Sequence, residues 1–98
     1  MAIKNLNVTI GAGITRVCQP SIRCNWATFS NRSAHEMAVG GPDVTTGANG
    51  LGIDLTTGGT NFAGRQYIAQ TNLAFWYVAG TQNDVLSITY DDGVDNLA

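Results

Sequence analysis

Histidine occurs once in this chain, cysteine and proline twice each, and charged residues make up only 12% of it. Each shortage excludes something. A single imidazole cannot supply the ligand set of a cupin-type metal centre, which needs several histidines and a carboxylate. No motif sets a Ser, Cys or Asp beside His35, so neither general-base nor nucleophilic catalysis has a visible constellation. The basic residues Lys4, Arg16, Arg23, Arg32 and Arg65 are scattered, and without a basic run no nucleic-acid footprint is expected. No apolar stretch approaches the roughly 18 residues that a membrane span requires. The N-terminal segment MAIKNLNVTIGAG lacks the apolar core of a signal peptide and alternates like a strand, so folding in a cytosol is expected. In that compartment Cys18 and Cys24 are expected as free thiols. No enzyme activity, cofactor or metal is expected. Asp91, Asp92 and Asp95 fit no calcium-loop spacing and read as a solvated strand end. Gly11-Ala12-Gly13 precedes a strand instead of a helix and reads as a turn.

What remains is a neutral, moderately apolar chain. The apolar fraction, 44%, is ordinary, which argues against disorder. Gly, Thr, Asn, Ser and Gln supply the polarity that charge does not. Such a surface suits strands and turns, and it costs little to desolvate against a partner. Ninety-eight residues make one domain, 1–98, because so short a chain cannot divide its apolar residues between two cores.

No window carries a 3.6-residue apolar period over a helical length, whereas period two recurs. Val8 and Ile10 alternate with Asn7 and Thr9. Ile14 to Cys18 reads as a second strand ended by Pro20. Ile22 to Ser30 predicts a long strand with Ile22, Cys24 and Trp26 on the core face, and Ala27 and Phe29 turned away. Ala34 to Val39 predicts another, with His35, Met37 and Val39 on one side. Gly40-Gly41-Pro42-Asp43 is a strong turn, followed by a loop from Val44 to Gly50. Ile53 to Thr57 and Thr60 to Phe62 are short candidates, with a loop through Arg65. Asn72 to Ala79 holds four large residues in a row, Phe75 to Val78, the mark of a strand covered on both faces. Val85 to Tyr90 is last, with Leu86, Ile88 and Tyr90 inward. About eight short antiparallel strands at this spacing predict an all-β fold, a single β-sandwich of the jelly-roll type.

The aromatics outnumber what one thin core must hold. Consecutive strand residues face opposite ways, so one of Trp76 or Tyr77 is expected at a subunit boundary, where large rings make the anchors. Exposed Trp26, Trp76 and Tyr77 could instead stack on sugars, as in a carbohydrate-binding module. The N-terminal strand and the segment 94–98, a candidate contact tail with Val94 and Leu97 as small apolar contacts, could extend such a subunit boundary by strand addition.

The order of several segments carries a resemblance. Ala34-His35-Glu36-Met37-Ala38-Val39-Gly40-Gly41-Pro42-Asp43-Val44 is followed by Gly50-Leu51-Gly52-Ile53-Asp54-Leu55. Then come Trp76-Tyr77-Val78-Ala79-Gly80-Thr81 and Asp84-Val85-Leu86-Ser87-Ile88-Thr89-Tyr90. This succession resembles short structural proteins of tailed phages, over most of residues 14 to 92, and capsid cement or decoration proteins fit best. The resemblance implies a virion component on the capsid surface, assembled in the host cytoplasm, that braces joints between major capsid subunits as a homodimer or homotrimer. A tail, collar or fibre-associated module is the alternative within the same group. It brings over no catalytic residue, and it implies no nucleic-acid or membrane partner.

Overall fold

The computed structural model describes residues 3–33, 35–53 and 65–92, and in them the alternating segments form ten antiparallel strands in three sheets. Four of these make the first sheet: β1 (Ile3–Thr9), β10 (Val85–Asp91), β4 (Trp26–Asn31) and β7 (Arg65–Ile68), in that order. The second sheet runs β2 (Thr15–Arg16), β9 (Tyr77–Gly80), β5 (Met37–Gly40) and β6 (Leu51–Gly52). A side pair joins β3 (Arg23–Cys24) to β8 (Thr71–Asn72). All-β architecture is thus as expected, with ten strands among the described residues where about eight were predicted.

Both four-stranded sheets feed one apolar cluster. The first sheet contributes Val8, Phe29, Leu86, Ile88 and Tyr90, and the second contributes Met37, Val39 and Val78. The alternation in β10 is as the sequence predicts, since Leu86, Ile88 and Tyr90 are buried. Phe29 is fully buried at the centre and meets Trp76 edge-on, with ring centroids 5.1 Å apart.

The predicted strand from Ile22 to Ser30 breaks at Asn25. There the backbone bends, Asn25 N donates to Asp91 O at 3.0 Å, and Asn25 Nδ2 donates to Asp91 Oδ2 at 3.2 Å. The bend resets the parity. Cys24 before it and Ala27, Phe29 and Asn31 after it all face inward, and Trp26 is left half-buried. Asp91 is correspondingly buried, so it is not the solvated strand end the sequence suggested; Asp92 pairs with Lys4 at 3.3 Å, and Asp95 lies outside the described residues.

Three further expectations shift. The strand predicted from Ala34 begins only at Met37, and His35 stands exposed before it. Met37, Ala38 and Val39 are all buried because β5 is covered on both faces: Met37 and Val39 join the main core, while Ala38 packs with Val44, Ala79 and Tyr77. Leu51–Gly52 forms a strand just ahead of the predicted Ile53 to Thr57; Ile53 is buried beside it and its N–H donates to Met37 O at 2.9 Å. Residues 54–57 and the candidate Thr60 to Phe62 lie outside the described residues. Finally, β7 starts at Arg65, where a loop was expected, and pairs with β4 from Ala27↔Ile68 to Ser30↔Arg65.

The turn after β5 folds back on the sheet. Val44 N donates to Gly41 O at 3.1 Å and Thr45 pairs with Asn49. Gly50 closes this loop at φ +102°, and a Cβ there would lie 2.7 Å from both Val39 O and Val44 Cγ2. Only glycine meets that conformation and that approach.

Candidate interaction surface

The aromatic run does not form the continuous strand that its composition suggests. A 3₁₀ turn, Leu73–Phe75, interrupts it. Asn72 builds the turn: Oδ1 accepts from Ala74 N at 3.0 Å and from Ile22 N at 3.1 Å, and Nδ2 donates to Ser21 Oγ at 2.6 Å. Trp76 N closes it on Leu73 O at 3.1 Å. Because a 3₁₀ turn advances by about three residues per turn, the rings leave simple alternation. Leu73 and Ala74 go inward, and Phe75 is thrown outward with 70% of its surface exposed.

Of the residues predicted for an interface, Trp76 is half-buried against the main core, and its Nε1 donates to Thr71 Oγ1 at 3.0 Å. Tyr77 is half-buried on the other side of β9, over Ala38, Val44 and Ala79. Val94 and Leu97 lie outside the described residues. The exposed ring of this segment is therefore Phe75, which sequence parity alone could not identify. It lines a shallow recess together with Gly40, Gly41, Gly50, Leu51 and Trp76. On its other side a polar cleft holds Arg23, Asn25 and Gln70.

A second surface comes directly from strand register. Side chains of one parity in the first sheet line up as Asn5–Thr89–Thr28–Tyr67 and, one rung on, as Asn7–Ser87–Ser30. Thr89 Oγ1 donates to Asn5 Oδ1 at 2.8 Å along the first row. Through β1, β10 and β4 these rows carry hydroxyls and amides and no charge, and the second continues to Arg65 on β7. Tyr67, 66% exposed, ends the first row, and Ile3, also exposed, lies two residues before Asn5 on the opposite edge. Tyr67 escaped sequence reasoning because its segment, RQYI, alternates too weakly to stand out from a loop.

The titratable groups form no denser arrangement among the described residues. His35 Nδ1 lies 2.8 Å from Asp84 Oδ2 at the surface. Cys18 and Cys24 are free, and burial raises both thiol pKa values. No group of three or more His, Cys, Asp or Glu with metal-binding placement occurs among the described residues. What the site offers chemically is contact: a hydrogen-bonding face of hydroxyls and amides, and an exposed ring beside a recess lined in part by glycines. Searches of known protein families, curated proteins and solved structures found nothing that matches the chain.

Proposed function

We propose that this chain is a structural protein of a tailed-phage virion, a capsid cement protein that binds itself and the major capsid protein and braces the joints between capsid subunits. The observation that carries the reading is the strand order. With the β3–β8 pair set aside, the remaining eight strands run first, eighth, third, sixth in one sheet and second, seventh, fourth, fifth in the other. That order supports a β-sandwich of the jelly-roll type, an architecture frequent in viral shells. A fold hosts many activities, so the surfaces matter as much. The hydroxyl and amide rows across β1, β10 and β4 are inexpensive to desolvate, and Phe75 offers an aromatic anchor of the kind interfaces use.

A brace acts by differential affinity. A rigid domain that binds only the assembled geometry lowers the free energy of that state relative to separated subunits. Several copies joined together multiply the hold of individually modest contacts. The sugar-binding alternative wants two of Trp26, Trp76 and Tyr77 exposed as a platform, and all three are half-buried. The test is co-expression with the major capsid protein of the same genome, followed by sedimentation of assembled shells. The chain is expected to travel with the shells in fixed stoichiometry. Its retention at the top of the gradient, with shells intact, would defeat the proposal.

A further inference from the structure

Strand β1, seven residues long, is the longest sheet edge among the described residues. Its backbone directions follow from Ile10. Ile10 N donates to Asp84 O at 2.9 Å, and Asn83 N donates to Ile10 O at 2.8 Å. Ile10 therefore turns both groups toward the β10 side. In an antiparallel ladder these directions alternate from residue to residue. Val8, Leu6 and Lys4 bond to β10, and Ile3, Asn5, Asn7 and Thr9 point their N–H and C=O groups away from it. The far side of β10 agrees, because Val85 O accepts from Arg32 N and Asp91 O from Asn25 N, both on the β4 side. No described strand occupies the outer edge of β1.

Natural edges are guarded against pairing by proline, bulges, short length or charges. Here seven consecutive rungs run without a bulge, and no proline interrupts them. The single charge, Lys4, has the parity of Leu6 and Val8 and is held by Asp92 at 3.3 Å. The outward-facing residues Ile3, Asn5, Asn7 and Thr9 are all exposed and all neutral.

We infer that β1 is a self-association edge, through which two copies of the chain join antiparallel about a two-fold axis at Leu6. This register matches every outward-facing residue of one strand with an outward-facing residue of the other: Ile3 with Thr9 of the second copy, and Asn5 with its Asn7. Centring on Asn5 leaves Thr9 without a described counterpart, and centring on Asn7 sets Ile3 against Gly11, beyond the end of the strand. A shift by one residue opposes outward groups to inward ones. At Leu6, moreover, Lys4 meets Val8, so no like charges face each other. The contact is isologous and closes on itself, and the two first sheets become one continuous sheet whose outer face is uncharged across the joined β1 strands. This names the joining edge of the homo-oligomer proposed above; it rests on that reading for its purpose, while its geometry stands without a shell.

The test uses the full chain in sedimentation velocity from roughly 1 to 300 µM, the range in which small interfaces populate. Wild type is expected to form a species of twice the 10.3 kDa chain mass. N5K/N7K, on the solvent face, sets lysines against each other in two cross-strand pairs and should weaken the dimer roughly tenfold. N5K/N7E sets lysine against glutamate in the same two pairs and should restore it. A wild type that stays monomeric overturns the inference. So does N5K/N7K dimerising like wild type, or N5K/N7E staying as weak as N5K/N7K. Thermal melts of both variants verify the fold. Dimerisation as described, without loading on shells, upholds the edge and sinks the shell reading.

Discussion

Replacing Asn31 by alanine is the sharpest test of how the two sheets are tied together. Asn31 is fully buried at the end of β4, and its side chain makes four hydrogen bonds. Nδ2 donates to His35 O and to Ile53 O, both at 2.8 Å, and Oδ1 accepts from Ser33 N at 2.9 Å and Ser33 Oγ at 2.7 Å. One carboxamide thus connects the first sheet to the approach of β5 and to the residue after β6. In Asn31→Ala the Ser33 groups and His35 O lie near enough to the surface to find water. Ile53 O does not, and a buried acceptor left without a donor costs about 1–3 kcal/mol. The lost bonds and the void together add about 2 kcal/mol, for a total of about 3–5 kcal/mol. For a domain this small, each kcal/mol shifts Tm by about 4–8 °C, so a fall of about 12–40 °C is expected in a calorimetric melt. Asn31→Leu separates the causes. It fills the void but leaves Ile53 O orphaned, and should still lose about 2 kcal/mol. A loss below about 1 kcal/mol for Asn31→Ala would refute the reasoning.

Four other outcomes are expected. Phe75→Ser should leave the melting temperature nearly unchanged, because the ring is exposed, yet reduce occupancy on shells; Trp76→Ala, which opens a gap against Phe29, should cost about 3–4 kcal/mol in urea unfolding. Gly50→Ala should destabilise by about 1–3 kcal/mol, since a Cβ at φ +102° meets Val39 O and Val44 Cγ2, and equal stability by thermal melt would contradict the close approach. Burial raises the Cys18 and Cys24 pKa values above the ordinary 9.0, so the unfolded chain releases those protons first as pH rises. Stability should therefore be insensitive to the thiols below pH 9.0 and decline as pH climbs from 9.0 through the raised folded values; a Cys18→Ala/Cys24→Ala variant should lose that alkaline slope, measured as Tm against pH.

Much of the strand content was legible because burial on one face imposes period two, and β10 displays it without interruption. Reading fails where one residue resets the count. Nothing in the composition around Asn25 signals that its amide and side chain will both turn to Asp91 and flip the facing of everything after it. Nor does the run from Phe75 to Val78 signal the 3₁₀ turn, because the decisive group is Asn72, which satisfies its partners through contacts made fifty residues away in the chain. Ring abundance was visible at the outset. Which ring ends outside depended on that turn. The hydroxyl and amide rows of β1 and β10 were closer to the surface of the sequence, since alternating Asn, Ser and Thr residues already place them on one side.

The register Ile3↔Asp91 puts the first described rung of β1 against the last of β10. Tension applied between those two positions would peel the pair open one rung after another, like a zip, and never strain all seven rungs at once. A tether fastened there is the weakest way to pull on this molecule. Whatever mechanical duty the domain performs, the stress is best received as shear along the strands, where all seven rungs of this pair share it simultaneously.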